Sequence, residues 1–184
     1  MIFEDKQITL KDGSTAVFRS PRREDAEQLL SFIKQSCDET DFLTRYSEEW
    51  TISVEQEAAW IERQNSSDSI FGITCYIGTR IVGNCSLTFM GSIKTAHRAT
   101  IGIAILKEFW GLGIGSAMFC EMLEAAKAHG TEIVELEYVD GNERGRRLYE
   151  KFGFKAVAKK PNVFKLKDGS YRDEVFMQKY LREI

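Results

Sequence analysis

Ile101-Gly-Ile-Ala-Ile-Leu-Lys-Glu-Phe-Trp-Gly-Leu-Gly-Ile-Gly-Ser116 decides how the rest of the chain is read. Ile101, Ile103 and Ile105 alternate with smaller residues, which is the pattern of a strand. Gly111, Gly113 and Gly115 then fall at alternate positions before Ser116 and an apolar-periodic segment. Glycine lets backbone N–H groups turn outward and meet a ligand with no Cβ in the way. The following helix start adds unpaired donors and a partial positive charge. Strand, glycine loop and helix together predict an anion site, above all for a phosphate. A Walker loop needs Gly-Lys-Ser/Thr, and no such triplet occurs. The dinucleotide fingerprint needs its third glycine at position 116, which is Ser116, so it fails too.

Composition narrows the setting. A chain of 184 residues suits one domain with a real core. A net charge of -3 offers no broad basic surface, which argues against nucleic acid as the main partner. No apolar run approaches the roughly 20 residues of a membrane span, and the first residues lack the layout of a signal peptide. Cys37, Cys75, Cys85 and Cys120 have neither metal-ligand nor disulfide-framework spacing. They read as reduced, mostly buried thiols of a cytoplasmic protein. No metal is expected.

Around the central stretch the elements are short and well punctuated. Lys11-Asp-Gly-Ser14 and Lys167-Asp-Gly-Ser170 read as hairpin turns. Ser20-Pro21 predicts the start of a helix reaching about Cys37, with Leu29, Leu30 and Ile33 facing inward. Residues 38–51 read as a polar loop, and Ser53-Val-Glu-Gln56 as the capping box of a second helix. Residues 70–77 and 80–90 form an antiparallel pair around Gly78-Thr79. The helix after the glycine loop stops near Gly130, and 132–140 is a strand. A short helix follows over 142–152, then short strands at 155–158 and 163–166, and a long one over 171–181. The total is an α/β (α+β) domain with a mixed, mostly antiparallel sheet and helices on its faces.

Two motifs carry a resemblance. Trp110-Gly-Leu-Gly-Ile-Gly115 resembles the pyrophosphate loop of the GNAT superfamily of N-acetyltransferases, usually Gln/Arg-x-x-Gly-x-Gly/Ala, with Trp110 replacing the usual first residue. Asn142-Glu-Arg-Gly-Arg-Arg-Leu-Tyr-Glu-Lys-Phe-Gly-Phe154 resembles the family's Asn-x-x-Ala-x-x-Leu-Tyr-x-x-x-Gly-Phe, with Gly145 in place of alanine. Order and spacing agree, and the likeness covers nearly the whole chain. It implies a GNAT-like fold with acetyl-CoA as co-substrate, lying in a V between two parallel strands, here 100–106 and 133–139. Ile103, Ala104 and Ile105 would run beside the pantetheine. Trp110, Gly111, Leu112, Gly113, Ile114, Gly115 and Ser116 would cradle the pyrophosphate. Asn142 would lie near the cofactor arm, and Arg144, Arg146 and Arg147 beside it. The resemblance leaves room for a homodimer.

Acetylating an amine from a thioester requires a neutral nucleophile and a proton for the departing thiolate. A lysine-like amine is neutral only about once in a few thousand molecules at pH 7, a handicap of roughly 4–5 kcal/mol. By resemblance Tyr149 is the acid. For the base the sequence offers Glu137, His97 or a water relay. The acceptor would meet the first two helices and the loops at 38–51 and 90–95. Asp38, Glu39, Asp41, Glu48 and Glu49 favour a cationic amine. Tyr46, Trp50 and Trp60 suit either a pocket or a core. The alternative to an enzyme is a coenzyme-binding sensor without turnover, and Tyr149 favours the enzyme.

Overall fold

The computed structural model describes residues 1–182. The two Lys-Asp-Gly-Ser turns fold alike. Asp12 accepts from the N–H and hydroxyl of Ser14 at 3.0 and 2.7 Å, and Asp168 does the same for Ser170 at 2.9 and 2.6 Å. Gly13 and Gly169 sit at φ of +85° and +86°, a region glycine enters without steric cost. The first turn joins β1 (Lys6–Thr9) to β2 (Thr15–Arg19), the second β7 (Lys155–Lys165) to β8 (Tyr171–Tyr180). These hairpins form the two edges of one eight-stranded sheet, ordered β1-β2-β3-β4-β5-β6-β8-β7. Its middle holds β3 (Ile70–Ile77), β4 (Arg80–Phe89), β5 (Arg98–Ile105) and β6 (Ile133–Val139).

Period-two alternation divides the side chains between two layers. Ile101, Ile103 and Ile105 join the cluster built on Met118, Phe119 and Met122 of α3 (Ile114–Ala128), which α4 (Glu143–Lys151) closes with Leu148 and Tyr149. Ala104 and Leu106 turn to the other face, against Leu29 and Phe32 of α1 (Ala26–Asp38) and Ala58 and Ile61 of α2 (Val54–Ser66). Burying each such large apolar side chain contributes about 1.5–3 kcal/mol.

Two boundaries differ from expectation. The first helix begins at Ala26, after a 3₁₀ turn over Arg23–Asp25, and not at Ser20-Pro21. The Ser20 hydroxyl serves tertiary structure instead, accepting from Phe3 N–H and donating to the Gly72 carbonyl. Asp25, at the N-cap position of α1, turns its carboxylate back onto the 3₁₀ turn instead, accepting the Arg22 N–H at 2.7 Å while Arg19 grips it. Residues 155–165 form one strand rather than two, with register breaks flanking Val157 and Pro161. Pro161 lacks an N–H, which only an edge strand tolerates. Asn162 stands at φ +55°, its N–H fixed by Asp173 at 2.9 Å. The second helix keeps its capping box, with Gln56 N–H on the Ser53 hydroxyl at 3.2 Å and the reciprocal bond at 2.8 Å.

β5 and β6 form the parallel pair, and their ladder is short. It runs from Arg98 opposite Ile133 to Thr100 opposite Glu135 and then stops. Beyond it the two strands separate, each still supported on its outer side, β5 by β4 and β6 by β8.

Candidate active site

Hydrogen-bond parity shows which backbone groups face the gap. Leu106 N–H bonds the Val82 carbonyl at 3.0 Å and Met90 N–H bonds Arg98 at 3.1 Å, so the even-numbered residues of β5 pair with β4. The main chain of Ile103 and Ile105 therefore points away from β4, into the opening. Ala104 lines the same opening, but its amide and carbonyl belong to the ladder opposite Asn84. The Ile105 carbonyl is occupied as well: Trp110 Nε1 donates to it at 2.7 Å.

The opening is a cleft of about 610 Å³. At one end lies the glycine loop. Gly111 and Gly113 have φ of +88° and +97°, so both need the freedom of glycine, and Gly113 is the N-cap of α3. No side chain caps that helix, and its first turn bond is Ala117 N–H to the Gly113 carbonyl. The N–H groups of Ile114, Gly115 and Ser116 are thus left for a ligand or water. Gly115 has a different task. A Cβ there would lie 3.0 Å from Leu148 and 3.3 Å from Ile105, so its bareness lets α3, α4 and β5 meet closely. Trp110 walls the loop, with the Arg144 guanidinium 5.0 Å from its ring centre. Lys151 donates to the Ser116 hydroxyl at 3.1 Å.

The other wall comes from β6 and α4. Asn142 caps α4 by accepting the Gly145 N–H at 2.9 Å, and it lines the cleft. A Cβ on Gly145 would come within 2.8 Å of the Asn142 amide nitrogen, so the glycine makes room for this cap. Tyr149 lies deep in the cleft, its ring 5.6 Å from Phe119 and 5.7 Å from Tyr138. Burial, then the neighbouring Tyr138, pushes its phenol up to about 12, so it keeps its proton throughout the neutral range. Among the described residues its hydroxyl has no hydrogen-bond partner. Glu137 lines the cleft too. Partial screening from water, then Glu174 and Glu135, holds its carboxyl above the usual range. Glu135 is spent differently, gripped by Arg98 and Gln178.

Several expected neighbours are elsewhere. His97 stands at the closed end of the strand pair, where its carbonyl accepts from Glu132 and Ile133, and it does not line the cleft. Residues 90–95 do not line it either. Of the loop at 38–51, residues 40, 42, 43 and 44 border the cleft together with Ser36, and none of the loop's acids does. Four of those acids hold the loop in shape: Asp38 accepts from Ser47, Glu39 from Lys107 N–H, Glu49 from Tyr46 N–H, and Glu48 pairs with Lys167 at 2.6 Å. Tyr46 accepts from Lys167 N–H, Trp60 is exposed, and neither Trp50 nor Trp60 reaches the cleft. Arg144 and Arg147 border the cleft, whereas Arg146 is held by Glu143 and Glu150.

Burial raises the thiols of Cys37, Cys75 and Cys85, that of Cys75 to about 12, and Cys120 is exposed rather than buried. No cysteine lines the cleft. Among the described residues no group of three or more His, Cys, Asp or Glu could hold a metal ion, and no helix is long and apolar enough to cross a membrane.

Residues 16–155, which carry both the glycine loop and the Asn142 segment, match the family model described as an acetyltransferase (GNAT) domain. The chain belongs to the GNAT acetyltransferase family. One relative, the [ribosomal protein bS18]-alanine N-acetyltransferase of Haemophilus influenzae, is 29% identical over 108 residues, 58% of this chain and 73% of its own length. A GNAT acetyltransferase from Streptococcus pneumoniae superposes with a TM-score of 0.84 at 24% identity, over 90% of this chain and 99% of that one. The yncA protein of Salmonella typhimurium, solved with its cofactor acetyl-CoA, gives 0.77 at 19% identity, over 92% and 95%. These two likenesses show that the GNAT fold is shared. Sequence reasoning missed, besides apolar wall residues such as Phe109, Phe119 and Leu136, a charged member of the site. Lys11 borders the cleft because its N–H bonds the Leu112 carbonyl at 3.0 Å. Its turn was legible, but the docking of that turn on a loop a hundred positions away was not.

Proposed function

We propose that this chain is an N-acetyltransferase carrying the acetyl group of acetyl-CoA to a primary amine, by direct attack in a ternary complex. One observation supports this most: the unpaired arms of β5 and β6 open between a glycine cradle at one end and two cleft-lining groups, the buried Tyr149 and the more exposed Glu137. The amides of residues 114–116 would hold the diphosphate, and Ile103 the pantetheine amides. Glu137 takes a proton from the acceptor ammonium. As the new C–N bond forms and the C–S bond breaks, Tyr149 gives its phenolic proton to the sulfur and regains one from the nitrogen. Of the two protons the ammonium loses, one ends on the thiol and the other leaves through Glu137. A carboxyl held above its usual range is a better base than an ordinary one, because its conjugate acid lies nearer neutrality.

The acceptor side combines Ser36, Thr40, Phe42, Leu43 and Thr44, small and mildly polar apart from Phe42 and Leu43. That lining suits a small amine, an amino acid or a protein N-terminus. The Haemophilus influenzae relative, named for an alanine of a ribosomal protein, makes a peptide beginning with alanine the first acceptor to try. The test follows free-thiol release from acetyl-CoA across a panel of amines and such peptides, in wild type and Tyr149→Phe. Release with at least one acceptor, sharply reduced in the variant, is expected. Tight coenzyme A binding with no release for any acceptor would instead make this a sensor.

A further inference from the structure

The two Lys-Asp-Gly-Ser turns invite a comparison. Each clasps a loop beside the cleft through its lysine N–H: Lys11 bonds the Leu112 carbonyl at 3.0 Å, and Lys167 bonds the Tyr46 hydroxyl at 3.0 Å. Their ammonium groups part company. Lys167 is neutralised by Glu48 at 2.6 Å and lies 4.3 Å from the Tyr46 ring centre. The Lys11 ammonium has no hydrogen-bond or ion-pair partner among the described residues. Its methylenes cover Gly113, and a Cβ built on that glycine would meet them at 3.5–3.9 Å. Lys11 thus reaches across the N-terminus of α3 from the far edge of the sheet, a long way in sequence from either motif.

Resting on the donor reading above, we infer that Lys11 is a diphosphate-binding residue, the cation that the β1–β2 hairpin brings to the glycine cradle. The cradle's amides supply direction but only partial charge. A lysine adds a full charge, and its flexible stem lets it act as a point cation on a phosphate oxygen. The turn's main-chain bond to Leu112 fixes where that stem begins, so little chain freedom remains to be lost on binding.

The test measures binding of coenzyme A and of dephospho-coenzyme A, which keeps the diphosphate but lacks the 3′-phosphate, to wild type, Lys11→Met and Lys11→Arg. Methionine keeps the apolar stem over Gly113 and removes only the charge. Melting temperatures control for folding. The expected result is an affinity loss of about tenfold for both ligands in Lys11→Met, largely restored in Lys11→Arg, with a shallower salt dependence in the methionine variant. Affinity within about twofold of wild type would overturn the inference while leaving the donor reading intact. A loss seen with coenzyme A but not with the dephospho form would overturn it too, placing Lys11 on the 3′-phosphate. Wild type that binds neither ligand would instead overturn the donor reading.

Discussion

The indole of Trp110 turns back onto the strand it has just left, its Nε1–H donating to the Ile105 carbonyl five residues earlier at 2.7 Å. That bond satisfies an acceptor which no neighbouring strand reaches, and it sets the ring under Arg144. Trp110→Phe would keep the ring and lose the donor. A net hydrogen bond contributes about 0.5–1.5 kcal/mol, so the urea midpoint should fall by a corresponding amount. Coenzyme A binding should weaken as well, because the loop is no longer anchored; calorimetry on the same variant checks this.

Gly113 and Gly115 should respond differently. Gly113 stands at φ +97°, so Gly113→Ala carries a backbone strain of about 1–2 kcal/mol, read as a lower melting temperature. Gly113→Glu adds a negative charge at the proposed diphosphate cradle and should abolish coenzyme A binding. Gly115→Val meets Leu148 and Ile105 instead, pushing α3 off the sheet at a cost of about 1–3 kcal/mol. Unchanged coenzyme affinity in Gly113→Glu would remove the loop from the site.

Tyr149→Phe and Glu137→Gln should both lower kcat and leave coenzyme A affinity within about twofold, since proton-transfer groups typically contribute 10²–10⁴-fold to rate. Their pH profiles should differ. A base works when deprotonated, so with Glu137 as the proposed base the acidic limb should lie above the ordinary carboxylate range and vanish in Glu137→Gln. Tyr149, the proposed acid, at about 12, should contribute no basic limb below roughly pH 11. Steady-state kinetics from pH 5 to 10 would reveal both.

Glu57 on α2 is 3% exposed and has no side-chain partner among the described residues, and burial raises its carboxyl. A raised folded-state value means full stability below the unfolded value of about 4.3 and a loss as pH climbs through the raised one. Glu57→Gln should therefore raise the melting temperature at pH 7, with the gain shrinking toward pH 4. Calorimetric scans at both pH values decide it.

Local patterns were legible wherever chemistry is local. The Ser53 box, the Asp12 and Asp168 turns and the alternation of Ile101, Ile103 and Ile105 each follow from a few adjacent residues. The V was legible through the family motifs alone, since nothing in the residues of β5 announces where its pairing with β6 ends. Contacts between distant segments were hidden. Ser20 looked like a cap because its engagement with Phe3 and Gly72 is tertiary. The distant engagements of Glu39 with the Lys107 N–H and of Glu48 with Lys167 were hidden too, because those partners lie far along the chain. His97 is a few residues from the cleft in sequence, yet the strand direction carries it to the closed end.

The ladder that stops at Thr100 and Glu135 leaves the middle of the sheet missing a rung. A donor molecule lying there would act as a guest strand, and native protein would gain by mass action about 2.7 kcal/mol at a hundred times the dissociation constant. Turnover and survival would then be coupled: a cell rich in acyl donor would hold this chain shut against proteases, and starvation would expose it. Proteolytic half-life with and without coenzyme A would register that dependence.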